Sequence, residues 1–237
     1  MQQIDAQTHQ TIVEQLQRSS VATVTAWLNQ RGYRNAYMPR LHCVRPDLRL
    51  VGRARTMRLV PARPDLAELW ASRDENPHRK AVEHIGAGEV LVVDAHGNDE
   101  GGILGDIMTS RLKARGAGGL VVDGSLRDVW QIEKLDLPVY TRHIHGAGIQ
   151  RGLAAVEMDG IVTCAGVGVR PGDYLYGDPD GVVVIPAPLA AEAAAYGAEH
   201  EALEEYLRGK VLAGGPLAEF YPPSEAARAE YHRLHGS

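Results

Sequence analysis

The chain has 237 residues, enough for one substantial core and hardly enough for two, and a formal net charge of -5. That balance provides no chain-wide basic footprint for a polyphosphate, so no nucleic-acid partner is expected, and small molecules or proteins are the expected partners. The chain opens without a basic segment followed by an apolar one, and no apolar run approaches the ~20 residues of a membrane span, so no membrane association and a cytoplasmic location are expected.

Spaced apolar positions predict two N-terminal helices, from about Ala6 to Leu16 and from Val21 to Gln30, with Ser19, Ser20 and Gly32 as cap and stop residues. After a loop around Pro39 and Pro46, partial alternation from Leu48 to Val60 predicts a half-exposed strand. The stretch from Ala62 to Gly86 is polar and helix-prone in pieces. Glu89 to Ala95 and Gly119 to Asp123 are continuous apolar runs of strand length. Between them, a loop over His96 to Gly105 and a helix from Asp106 to Arg115 complete a strand-loop-helix-strand unit, the usual route to a parallel pair. A short helix near Asp128 to Lys134 and a strand over Leu137 to Thr141 continue the alternation.

From Ala155 to Pro186, turn residues at Met158-Asp159-Gly160, Arg170-Pro171-Gly172-Asp173 and Gly177-Asp178-Pro179-Asp180-Gly181 predict antiparallel strands joined by hairpins. An Ala- and Glu-rich helix over Leu189 to Leu212 and a tail containing Pro222 and Pro223 close the chain. The whole reads as one α/β domain with mixed sheets over 1–237: N-terminal helices at 5–32, a core at 48–186, and the C-terminal helix and tail at 188–237. With one Phe and 26 Gly, that core is built from small aliphatic side chains, and Cys43 and Cys164 are expected as buried thiols within it.

The residues that carry chemistry lie between Asp106 and Asp128. Each Asp follows a turn and opens a predicted helix, where a carboxylate can simply cap free amides; Asp128 with Gln131 three positions later resembles a capping box. Arg127, however, stands beside Asp128 at the carboxyl end of a predicted buried strand, where ligands of open α/β sheets gather. The glycines at 101, 102 and 105 let backbone amides approach an anion at a helix N-terminus. Two carboxylates, one guanidinium and free amides suit a small oxoacid beside a divalent cation.

Gly105-Asp106-Ile107-Met108, the run Arg115 to Asp128 (Arg-Gly-Ala-Gly-Gly-Leu-Val-Val-Asp-Gly-Ser-Leu-Arg-Asp) and Leu135 to Tyr140 closely resemble the 4-hydroxy-4-methyl-2-oxoglutarate aldolases and their relatives, the regulators of ribonuclease E activity (RraA-like proteins). The likeness extends to Ser20 to Val24, Leu50 to Ala54, Pro171 to Asp173 and Gly177 to Pro186. It implies an α/β/β sandwich with a swivelling-domain-like core, assembled as a homotrimer or a hexamer with active sites between subunits. It also implies that Asp128 ligates Mg²⁺ or Mn²⁺, Arg127 binds the pyruvyl part of a small 2-oxo acid substrate, and Asp106 orients a water. By the same resemblance, amides around Ile103, Leu104 and Gly105 hold the carboxylate, and Glu204 of a neighbouring subunit, with Glu201 and Glu205 as runners-up, completes the metal's outer shell. One position departs from the family pattern: Gln131 stands where an acidic residue is usual, able to bond a metal-bound water but adding no charge.

The implied activity is cleavage of a 4-hydroxy-2-oxo dicarboxylic acid to pyruvate and a second 2-oxo acid, with secondary oxaloacetate decarboxylation through the same enolate. An aldolase stabilises that enolate through a lysine Schiff base or a Lewis-acid metal; Lys80, Lys113, Lys134 and Lys210 all sit in polar or helical contexts, which favours the metal. One alternative is a non-enzymatic regulator that covers a ribonuclease or another protein. Another is a Zn²⁺ or iron site at His143 and His145, which lacks an evident third ligand. Trp130, His96, His143 and Arg142 are the candidates for reading the substrate's far end.

Overall fold

The computed structural model describes residues 5–65, 76–149 and 152–235. Helices α1 (Ala6–Leu16) and α2 (Val21–Gln30) start where a side-chain oxygen accepts a first-turn amide, Asp5 from Thr8 and Ser20 from Thr23. Short strands β1 (Tyr37–Met38) and β2 (His42–Cys43) precede β3 (Leu50–Pro61). Of the stretch expected to be helical in pieces, residues 66–75 lie outside the described residues; α3 (Pro77–Glu83) follows them, capped by the Asn76 side chain. Next come β4 (Glu89–Leu104), α4 (Asp106–Ala114), β5 (Gly119–Leu126), α5 (Val129–Ile132) and β6 (Val139–Ile144). Strands β7 (Leu153–Met158), β8 (Val162–Cys164), β9 (Val167–Val169), β10 (Tyr174–Asp178) and β11 (Gly181–Ile185) lead to α6 (Ala190–Leu212), α7 (Leu217–Phe220) and α8 (Glu225–His235).

One sheet has the order β1-β11-β10-β3-β4-β5-β6-β2, with β7 on the far half of β3. Its centre, β3 to β6, is parallel, and its flanks are antiparallel. The eight residues of β5 are all buried, because apolar layers cover both faces. On one face α3, α4 and α5 pack Ala81, Val82, Leu112, Val129 and Ile132 against Leu91, Val93 and Leu120. On the other, the β8–β9 hairpin sets Val162, Cys164 and Val167 on Val90, Val92 and Val121. Helices α1, α2 and α6 cover Tyr174, Tyr176, Val183 and Ile185 with Leu16, Trp27 and Ala193. The fold is the expected α/β/β arrangement with a mixed sheet.

The structure departs from expectation at several elements, each for a local reason. His96 to Gly105, expected as a loop, stays paired to β5 through register shifts, with Asn98 opposite Gly124, Gly102 opposite Ser125 and Leu104 opposite Leu126. The extra residues bulge out of the ladder, which erases the alternation a sequence pattern needs. The turns at Met158–Gly160 and Arg170–Asp173 are corners rather than hairpins, since β7 pairs with β3 while β8 pairs with β9. The hairpin between β8 and β9 turns at Ala165 and Gly166, both with positive φ, and an Ala there gives no turn signal. The tail contains α7 and α8, whose Phe220 and Ala227 pack with Leu203 and Leu207 of α6. Cys43 is only half-buried, whereas Cys164 is buried; both are free thiols.

Candidate active site

Strands β4 and β5 run in parallel and end together, with Leu104 beside Leu126, so the residues just beyond them share one edge of the sheet. There the chain leaves β5 through Arg127, whose amide donates to the Leu104 carbonyl at 3.1 Å, and turns at Asp128. Asp128 has φ 56° and ψ 30°, a left-handed conformation uncommon for a side-chain-bearing residue, and its backbone carbonyl accepts the amides of Gln131 and Ile132. Its carboxylate makes no capping bond to α5, so the capping-box alternative does not describe this residue. It lies instead 3.3 Å from Arg127 Nε, and both side chains keep more than 40% of their surface exposed, at 42% and 46%.

The glycines expected to present amides to an anion make room for this pair. A Cβ at position 105 would sit 2.8 Å from both Arg127 Nε and Asp128 Oδ2, and one at 102 would sit 2.7 Å from Arg127 Cβ. The Gly102 amide is already spent on the Ala147 carbonyl at 2.7 Å, which brings the loop after β6 against the site. Ile103 and Leu104 are buried, and Gly105 precedes the first turn of α4, where Asp106 begins the helix and its Oδ1 accepts the Ile107 amide.

Ile103, Gly105, Asp106 and Arg127 line a cleft of about 1430 Å³, closed on its far side by α3 and by residues 147–149. Of the titratable groups that line this cleft, His78, on α3, is moved furthest: burial pulls its pKa down to about 4, against an opposing contact to the Ile103 backbone, with the Arg79 charge adding to the fall, whereas Glu83 is lowered and Arg111 raised by their mutual contact. Nothing in the sequence marked α3 as a wall of the site, because a seven-residue helix opened by a proline carries too little periodicity to place.

Other candidates stand elsewhere. Glu204 lies on α6 with His200 Nε2 at 3.3 Å, Glu201 accepts a bond from Thr23 at 2.7 Å, and Glu205 borders a smaller cleft near Tyr206 and Lys210. None of these three glutamates lines the large cleft of its own chain. Gln131 Oε1 accepts from Lys134 Nζ at 2.9 Å. Among the described residues no three His, Cys, Asp or Glu side chains converge, so His143 and His145 find no third ligand; His145 Nδ1 accepts the Ala147 amide. Trp130, His96, His143 and Arg142 do not line the cleft, and Arg142 is held by buried Asp123 at 2.6 Å. Lys80 is the lysine that does line it.

Comparison with known proteins adds the lineage. "Putative 4-hydroxy-4-methyl-2-oxoglutarate aldolase" is the name of a protein of Halalkalibacterium halodurans 35% identical over 58% of this chain and 60% of that one, so the match spans less than two thirds of that relative. A Pseudomonas fluorescens protein of the same name is 36% identical over 53% of this chain and 76% of its own. Among solved structures, RraAS2 of Streptomyces coelicolor, described as an unusual member of the RNase ES inhibitor RraA protein family, superposes with a TM-score of 0.75 at 32% identity, covering 88% of this chain and 98% of that one. An uncharacterized protein from Pseudomonas syringae shares the fold with a TM-score of 0.77 at 23% identity, over 90% and 97% of the two chains. The family model described as "RraA-like: Aldolase/RraA" matches residues 8–184, and with the fold and the paired strand ends on view, the chain belongs to the RraA-like family.

Proposed function

We propose that this protein is a divalent-metal-dependent pyruvate aldolase that cleaves a 4-hydroxy-2-oxo dicarboxylic acid resembling 4-hydroxy-4-methyl-2-oxoglutarate to pyruvate and a second 2-oxo acid. The observation that carries this reading is the Arg127–Asp128 pair: adjacent, uncapped, held on a left-handed turn at the carboxyl end of a buried strand and packed on Gly105. The relatives named as aldolases support the reaction class.

The donor set fits a hard cation. Asp128 offers an exposed carboxylate free of any cap bond, and Mg²⁺ usually keeps several waters while bound by one or two carboxylates and its substrate, so a cluster of three protein ligands is not required. Asp128 would hold Mg²⁺ or Mn²⁺, with Gln131 reaching a water once released from Lys134, and Glu204 of a neighbouring copy adding an outer carboxylate in a homotrimer or hexamer. When bound, the cation supplies Lewis-acid polarisation of the 2-oxo group.

The chain's own groups supply the rest. The Arg127 guanidinium orients the carboxylate and 2-oxo group and offsets the charge that develops on the C2 oxygen. The C3–C4 bond breaks as the C4 hydroxyl loses its proton to water held by Asp106; its electron pair becomes the pyruvate enolate, and C4 becomes the carbonyl of the second product. A proton returned to C3 from the same water completes pyruvate. Loss of CO₂ from oxaloacetate leaves the same enolate, so decarboxylation is a secondary activity.

A Mg²⁺/Mn²⁺-dependent screen of 4-hydroxy-2-oxo acids and oxaloacetate, read out as pyruvate, tests the assignment. Arg127→Ala is expected to lower turnover by ~10²–10³; a variant with near-normal pyruvate release would overturn it. Because Lys80 lines the cleft, borohydride treatment in the presence of pyruvate is the companion test, and retention of full activity is the expected result. The likeness to RraAS2 favours a second reading, a regulator that covers a ribonuclease without catalysis. Co-purification with a ribonuclease and no metal-dependent pyruvate release would select it.

A further inference from the structure

The proposed reaction needs only the oxoacid end of its substrate, which Arg127 and Asp128 serve, yet the cleft that Arg127 lines extends well past it to α3. The charges along this extension do not cancel. Arg111 is neutralised by Glu83 through a two-pronged contact at 2.8–3.2 Å, and Arg127 by Asp128, but Arg79 forms no ion pair among the described residues. Beside it, His78 keeps a buried Nε2 that makes no hydrogen bond of normal geometry, its ring facing the Ile103 backbone. A buried polar atom without a partner costs about 1–3 kcal/mol, so its persistence in a functional cleft calls for a ligand. The first-turn amides of α3 are not that recognition element, since Asn76 Oδ1 accepts both the His78 and the Arg79 N–H. The side chains are what remain.

Placement agrees with the chemistry. His78 lies against the Ile103 backbone, whereas Arg127 lies against Gly105, two residues further along the same segment. At the rise of a strand this separates the two contacts by roughly 7 Å, a separation that a five-carbon oxoacid can bridge between its ends. We propose that His78 and Arg79 form the specificity wall of the cleft, receiving the carboxylate at the far end of the substrate while Arg127 holds the oxoacid end. This rests on the proposed function and deepens it: the residues that recognise the second carboxylate of the dicarboxylic substrate stand on α3 rather than on β6.

Direct binding separates this inference from the catalytic reading. 2-Oxoglutarate and 2-oxopentanoate have the same chain length and differ in the distal carboxylate, so titration calorimetry of each against the protein in magnesium buffer isolates that group. Wild type is expected to bind 2-oxoglutarate about tenfold or more tightly than 2-oxopentanoate, the worth of a charge-assisted contact. Arg79→Ala and His78→Leu should each shrink that advantage, their combination should remove it, and 2-oxopentanoate affinity should stay unchanged; Arg79→Lys should retain part of it. Equal affinities in wild type, no measurable binding of 2-oxoglutarate, an advantage that survives the double variant, or parallel loss of both ligands would overturn the proposal. A wild type that shows the preference yet releases no pyruvate from any 4-hydroxy-2-oxo acid counts against the aldolase assignment and leaves the wall standing.

Discussion

Strands β4 and β5 carry two acid–arginine groups, one in their middle and one at their ends, and the two could hardly be used more differently. In the middle, Asp94 and Asp123 are direct neighbours across the ladder and are buried to within a few per cent. Asp94 accepts the amides of His96 and Thr163, while Asp123 accepts that of Ala165 and pairs with Arg142 at 2.6 Å. Three of these bonds run to backbone amides, and two of them pin the β8–β9 hairpin beneath the sheet. At the ends, Asp128 and Arg127 are exposed, their contact is a loose 3.3 Å, the Asp128 carboxylate caps no amide of α5, and nearby Asp106 accepts the Ile107 amide. Residue type does not separate structure from function in these groups; unspent bonding capacity does.

The sharpest way to break this comparison is to remove the middle group. Asp123→Ala leaves the largely covered Arg142 without its partner and the buried Ala165 amide unmet, and should lower stability by about 3–5 kcal/mol in urea unfolding. Asp128→Asn, which keeps a residue that tolerates the left-handed turn, should do the reverse, shifting stability by under about 0.5 kcal/mol while cutting metal-dependent pyruvate release by ~10² or more. If Asp128→Asn unfolded the protein as Asp123→Ala does, the distinction would be lost. Gly105→Ala refines it further: the added methyl group meets Arg127 Nε, displaces the guanidinium, and is expected to cost on the order of 10² in turnover with little change in the melting curve.

The smallest expected effect is one of pH. Burial holds His78 near 4 in the folded chain, against about 6.5 when unfolded. Between those values the unfolded chain binds a proton that the folded chain refuses, so this contribution is present above pH 6.5 and is lost as pH falls toward 4. Discounted because the residue as a whole is only half-buried, it is worth about 1–2 kcal/mol. His78→Leu should flatten the stability profile in that window, and an unchanged slope would assign the loss to other groups.

Much of this was legible in the sequence because the informative signals were local. The apolar runs of β4 and β5, the Ser20 cap and the Ala-rich α6 each sit within one window of chain, and the Arg127-Asp128 step follows its strand directly. The far wall of the cleft was not legible. His78 meets Ile103 across 24 intervening positions by way of a seven-residue helix, and no periodicity encodes such a meeting. The second half of β4 was hidden for a related reason: its pairing survives through bulges, whose extra residues look like loop. Nor could sequence tell spent carboxylates from free ones, since Asp94, Asp106, Asp123 and Asp128 all stand at or near strand ends in the pattern.

The torsion at Asp128 has one more consequence, for heredity. A left-handed backbone is open mainly to glycine, asparagine and aspartate, and of that short alphabet only aspartate carries a negative charge. Lineages that drift to asparagine or glycine there would keep the turn and forfeit the anion in a single codon change, so loss of chemistry with full retention of architecture is the easiest evolutionary step open to this scaffold.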